Sequence, residues 1–181
     1  VEADDVIGTL AWQAEAEGYK VVVASADKDF FQLINPNIFL LNPNDKSENL
    51  WQDEQVIAKT GVPPAQIIDW LSLVGDAVDG IPGVPGVGPK TAAKLLTEHQ
   101  TVEQLYANLD QISSDKLRGK LTEAAEDVRR NQDLVALKTM AQWNVPLDEL
   151  VPSQRNEEAL REYYQRWNFR SRLAALDEFP F

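Results

Sequence analysis

The run Val21-Val22-Val23-Ala24 constrains this chain more than any other stretch. Its residues are apolar without alternation, the pattern of a strand covered on both faces in a parallel sheet flanked by helices. A second short strand is expected from Ile38 to Pro43, and KDFFQLI between the two leaves room only for a brief helix. Ahead of them Val6, Ile7, Leu10, Ala11 and Ala14 recur at i, i+3, i+4, predicting an amphipathic helix over Glu2–Glu17 that Gly18 stops. The pattern is α/β. Two strands do not make a stable sheet with both faces covered. Val21–Ala24 is therefore expected to need neighbours on both sides, and the chain is expected to be the latter part of a larger domain.

After Asn42 the character changes. NPNDKSEN reads as a turn-rich loop, and no further strand is expected beyond Asp53. Helices are predicted over Asp53–Lys59, Pro64–Val74, Pro89–His99, Val102–Asn108, Asp115–Gln142 with a break near Arg130, and Asn156–Trp167, with a further turn or two in NFRSRLAAL. His99, the single histidine, falls at a helix C-terminus, where a cation suits the dipole.

With no cysteine the chain has no disulfide, thiolate metal site or cysteine nucleophile, and one histidine leaves no Ser-His-Asp site worth pursuing. A reducing, cytoplasmic setting is expected, with no membrane as partner, since no apolar run approaches the roughly 20 residues of a membrane span. The formal charge of −12 first argues against nucleic acid, whose affinity comes largely from Lys and Arg. An acidic balance also arises where carboxylates are gathered to hold cations.

Three acidic clusters fit that second origin. Glu2 and Asp5 share a helix face with Asp4 beside them; Asp27 and Asp29 follow the apolar strand; Asp76 and Asp79 follow the apolar segment IIDWLSLV. The carboxyl end of a parallel strand is where open α/β sheets place ligands. Hard divalent cations take oxygen ligands, and two of them about 4 Å apart serve phosphoester hydrolysis. Each cluster alone reads equally well as a cap or a solvated face; all three together favour a metal site. Setting the seven aside leaves 22 acids against 17 bases, which weakens the case against nucleic acid.

GIPGVPGVGPKTAAKLL carries a second signal, with four glycines and three prolines between Gly80 and Pro89. Gly86 and Gly88 open a helix at Pro89, a favoured first position, and let backbone N–H groups approach an anion at the positive helix end. Lys90 and Lys94 lie four apart on one face. Such an element grips a DNA backbone without reading bases.

The segments EADDVIGTLA, SADKDFFQLI, GVPPAQIIDWLSLVGDAVDGIPGVPGVGPKTAAKLL, LRGKL and NVPLD stand in the order they have in the 5′-nuclease (flap endonuclease) family. The chain most resembles the 5′–3′ exonuclease domain of bacterial DNA polymerase I, nearly end to end. The resemblance implies a PIN-like α/β core with a parallel sheet, here N-terminally incomplete (residues 1–75). A helical region (76–181) would follow, with a helix–three-turn–helix clamp over 76–100. It implies two divalent cations, Mg²⁺ or Mn²⁺, held directly or through water by Glu2, Asp4, Asp5, Asp27 and Asp29, with Asp76 and Asp79 serving the second ion. It implies that Gly86, Val87, Gly88, Lys90 and Thr91 clamp duplex DNA, where the family often also holds a monovalent cation such as K⁺. The implied activity is two-metal-ion phosphodiester hydrolysis at a 5′ flap or 5′ end in DNA replication and repair.

The chain also departs from the family. The family's first strand, with a further metal-binding Asp, and its helical arch precede EADD and are not in this sequence. Gly80 stands where many relatives have Asn. The expectation is thus an enzyme fragment that needs its N-terminal part as partner. The alternative is a non-catalytic module that binds duplex DNA through residues 80–96. Retention of seven carboxylates favours the enzyme.

Overall fold

The computed structural model describes residues 2–46, 49–138, 146–152 and 154–178. The chain divides into two compact units, 1–144 and 145–181. In the first, α1 (Ala3–Ala16) leads into β1 (Val21–Ala24), a 3-10 turn (Lys28–Leu33), β2 (Ile38–Leu41), β3 (Leu50–Trp51) and α2 (Asp53–Thr60). A 3-10 turn (Pro64–Gln66) then opens α3 (Ile67–Val74), followed by the two-residue strands β4 (Gly75–Asp76) and β5 (Ile81–Pro82). α4 (Pro89–His99), α5 (Val102–Ala107), α6 (Asp115–Glu123) and α7 (Ala125–Val135) complete the unit. The second unit holds α8 (Glu157–Arg166) and α9 (Arg170–Glu178), with Tyr163, Tyr164 and Phe169 in ring contact.

β1 and β2 pair in parallel, Val21 opposite Ile38 and Ala24 opposite Leu41, and β3 pairs antiparallel to β2, giving the order β1-β2-β3. The expectation for β1 is corrected here. Val23 is buried, but Val22 is 47% exposed, because among the described residues β1 has one strand neighbour and one covered face. The fully covered strand is β2, where Ile38, Phe39 and Leu40 are all buried. The strands β3, β4 and β5 also depart from the expectation. Pairs of two residues carry no readable periodicity, so only the fold reveals them.

The core gathers around α3, whose Ile67, Trp70, Leu71, Ser72 and Leu73 are buried. α7 and α4 pack on it with Val128, Leu95 and Leu96. The long helix expected from Asp115 breaks at Ala124 rather than near Arg130. There the backbone turns (φ −91°, ψ 5°) so that Leu121 and Val128, on separate helices, both reach the core. α7 ends at Val135; residues 139–142 of that expected helix, and 144–145 of NVPLD, lie outside the described residues.

Asn131, fully buried on α7, donates from Nδ2 to Ser72 O (3.1 Å) and Pro82 O (2.6 Å), tying α3 to β5. Glycine is required where β4 begins: Gly75 has φ +77°, and a Cβ there would lie 2.3 Å from Gly83 N. The β4–β5 pairing that results holds Asp76 and Asp79 on a short hairpin beside the end of α3.

Candidate metal centre and DNA clamp

Three elements bring acidic residues within reach of one another's charge. Glu2 is the N-cap of α1 with an extended backbone, and its side chain makes no cap hydrogen bond, so it is free for another role. Asp4, in the first turn, feels burial first and then the charges of Asp27, Glu2, Asp5 and Asp79, all of which raise its pKa. Asp27 caps the 3-10 turn, its Oδ1 accepting from Asp29 N at 3.0 Å. Asp29 is pushed up to about 7 by burial and by Asp27 and Asp76, and its Oδ1 is buried with no hydrogen-bond partner. Asp79 is raised by burial and by Asp76 and Asp27.

Asp76 behaves differently. Burial alone would raise its carboxyl, but the Lys28 ammonium, 2.6 Å from Oδ2, and Val78 N–H, 2.8 Å from Oδ1, outweigh it and hold the pKa below the usual range. Asp5 is turned another way: its Oδ1 accepts from Lys138 N at 2.9 Å, fastening α1 to the chain after α7. The carboxylates thus share one electrostatic neighbourhood. Among the described residues no three of them converge closely enough to make a ready cation cage.

The donor set suits a hard cation, which takes carboxylate oxygens. The observation that bears on fit is the unpartnered, buried oxygen of Asp29, beside Asp76 whose charge is met by the single positive group of Lys28. Lys28 stands between the two acids of SADKDF; its position in that motif was the available signal for it.

The glycine-proline segment is held from below. Val84 N donates to Leu73 O and Val87 N to Val84 O, both at 2.9 Å, and Trp70 Nε1 donates to Pro89 O at 3.2 Å. Val87 is buried, so its side chain anchors the turn. Gly86 has φ +82°, and Gly88 is the extended N-cap of α4, with no side chain competing for the first N–H groups. Lys90 is exposed, Thr91 is half-buried, and Lys94 lies 3.8 Å from Glu98. Lys90, Thr91 and Lys94 line a groove of about 690 Å³ whose far wall includes Ser114 and Leu117.

Sequence reasoning missed Lys120. It lies on α6, yet its Nζ would be 2.6 Å from a Cβ built on Gly86. Half-buried and without an ion pair or hydrogen bond among the described residues, it adds a cation beside the turn from an element remote in sequence. Packing of α6, which spacing does not encode, put it there.

Residues 1–61 match the 5′–3′ exonuclease N-terminal resolvase-like domain and residues 62–158 the 5′–3′ exonuclease C-terminal SAM fold. The chain is 40% identical over 172 residues to the thermostable DNA polymerase I of Thermus filiformis, covering 95% of this chain and 20% of that one. It is 42% identical over 180 residues to DNA polymerase I of Pseudomonas aeruginosa, covering 96% and 20%. The chain therefore spans about a fifth of the length of these relatives.

Among solved structures, T5 5′-exonuclease with bound divalent zinc ions has a TM-score of 0.69 at 24% identity, over 76% of this chain and 50% of that one. The catalytic core of Rad2 in complex with a DNA substrate has a TM-score of 0.59 at 18% identity, over 92% and 57%. Both are likenesses of fold. With a PIN-like, resolvase-like first part and a SAM-like helical second part, this chain belongs to the 5′–3′ exonuclease family.

Proposed function

We propose that this chain carries the acidic centre and DNA clamp of a metal-dependent 5′–3′ exonuclease and flap endonuclease, working in the cytoplasm on DNA in replication and repair. The division between nuclease core and helical region runs near residue 75, with Asp76 and Asp79 of the acidic centre just after it, at the start of the clamp region. The observation that carries the reading is the gathering of Asp4, Asp27, Asp29 and Asp79 from three separate elements into one field, with a buried Asp29 oxygen left without a partner.

Glu2, Asp4, Asp27 and Asp29 would hold one divalent cation, Mg²⁺ or Mn²⁺, directly or through water, Asp5 through the oxygen that Lys138 N leaves open, and Asp76 and Asp79 would serve a second. Bound there, such ions supply water activation and relief of charge on the leaving oxygen. Gly86, Val87, Gly88, Lys90, Thr91 and Lys94 would hold the duplex backbone, with a K⁺ ion at the same turn. Lys28 keeps Asp76 ionised until a cation arrives. That β1 has one strand neighbour among the described residues supports a further part of this reading: an N-terminal strand of the same domain would complete the sheet.

The test is cleavage of a 5′-flap DNA in Mg²⁺. The chain alone is expected to be nearly inactive, and the chain together with its N-terminal part active, with Asp27→Asn in that complex lowering the rate at least a hundredfold. Robust cleavage by the 181 residues alone would refute the need for a partner, and a dead complex would refute the enzyme.

The Lys28–Asp76 pair favours a second reading, a non-catalytic module that binds duplex DNA through residues 80–96, because a lysine already neutralises one candidate ligand. That module would bind duplex equally well with or without Mg²⁺ and leave it uncut when the N-terminal part is present.

A further inference from the structure

Residues 131–138, the end of α7 and the chain just after it, hold none of the seven carboxylates of the acidic centre. They are nonetheless bonded to each of the elements that carry them. Asn131 holds the β4–β5 hairpin of Asp76 and Asp79 through Pro82 O. At the other end of the stretch, Lys138 N donates to Asp5 on α1, and Leu137 packs over Gly8 of the same helix. Between them stands Gln32, half-buried on the 3-10 turn that Asp27 caps and that includes Asp29. Its Nε2 donates to Asp29 O at 2.8 Å and to Val135 O at 2.9 Å, and its Oε1 accepts from Leu137 N at 3.0 Å. Bonding the carbonyl of one residue and the N–H of the next but one, the amide takes the place of a neighbouring strand's backbone.

Carboxylates that raise one another's pKa also push their elements apart, and Asp4, Asp29 and Asp79 all do so. Holding those elements with lysines would cancel the charge that attracts a cation. Neutral amides and backbone groups hold them without that loss, and partners outside the ligand set fix ligand spacing in metal sites generally. We infer that residues 131–138 set the spacing of the carboxylate-bearing elements, with Gln32 the positioning residue that joins the Asp27–Asp29 turn to them. This rests on the nuclease reading above and adds to it a residue that acts on the metal centre without touching a cation.

The test is calorimetric titration of the chain with Mn²⁺ in the absence of DNA, alongside its urea midpoint and its affinity for duplex DNA in EDTA. Gln32→Met, which keeps the side chain's bulk and removes its three bonds, should bind Mn²⁺ about tenfold more weakly, as loss of such a partner does elsewhere. Its duplex affinity should stay within about twofold, because the clamp is a separate site. Gln66→Met is the matched control. That amide is also half-buried and bonds two carbonyls, Leu96 O and Gln100 O at the end of α4, away from the carboxylates. It should lower the urea midpoint comparably and leave Mn²⁺ affinity within about twofold. Ala136→Gly serves if Gln32→Met does not fold: it keeps every hydrogen bond, adds backbone freedom between the two residues Gln32 holds, and should weaken Mn²⁺ about threefold. Failure of the unmodified chain to bind Mn²⁺ would overturn both readings. Mn²⁺ binding that Gln32→Met and Ala136→Gly leave unchanged, or that Gln66→Met weakens as much as Gln32→Met, would overturn this one alone.

Discussion

Lys120 shows how a residue gains a role from its surroundings. On α6 it is one lysine of a polar helix; in the fold its ammonium lies against Gly86, with no ion-pair partner among the described residues. Lys120→Gln should leave the melting temperature within about 2 °C and reduce the salt slope of duplex binding by about 0.9, the loss of one phosphate contact. Lys94, already near Glu98, should matter less. Tyr106 gives a pH signature. Its hydroxyl donates to Leu121 O at 3.0 Å, and burial pushes its pKa up to about 12. The fold favours the neutral phenol, so this contribution is complete below about pH 10, where the unfolded phenol titrates, and is lost as pH rises through 12. Urea midpoints taken between pH 9 and 12 should fall more steeply for the unmodified chain than for Tyr106→Phe.

Among the elements, the β4–β5 hairpin depends most on its neighbours. Two residues a side cannot stand alone, and Asn131 on α7 supplies the anchor by bonding Ser72 O and Pro82 O together. Asn131→Ala should cost about 2 kcal/mol in urea denaturation, because two carbonyls lose their donor inside the core. It should also loosen the hairpin bearing Asp76 and Asp79. The helices were legible because each carries its own signals. Gly61 (φ +85°) closes α2, Thr101 and Ser114 cap α5 and α6, and Pro89 opens α4 at the position expected. The break at Ala124 was not legible. It follows from the need of Leu121 and Val128 to reach one core, and helix propensity at that alanine runs the other way.

Across the whole molecule, seven of the 29 acids behind the charge of −12 belong to the acidic centre, where Lys28 pairs with Asp76. A divalent cation bound to the folded state alone stabilises it by mass action. Millimolar Mg²⁺ should therefore raise the melting temperature by several degrees beyond NaCl at equal ionic strength, and Asp27→Asn should abolish that increment. The sequence by itself determined the α/β-to-helical order, most helix limits, the strand cores Val21–Ala24 and Ile38–Leu41, and the candidate carboxylates and glycine-proline turn. Those signals are local, written in periodicity, caps and the chemistry of adjacent side chains. Only the tertiary structure decided that β2 and not β1 is the covered strand, that Asp5 turns to Lys138 while Asp4 faces Asp27 and Asp79, and that Lys28 meets Asp76. It alone brought Lys120 to Gly86 and set Gln32 against Val135 and Leu137. Each of these rests on contacts between separate elements, whose free energy depends on which surfaces meet, and no spacing along the chain records that.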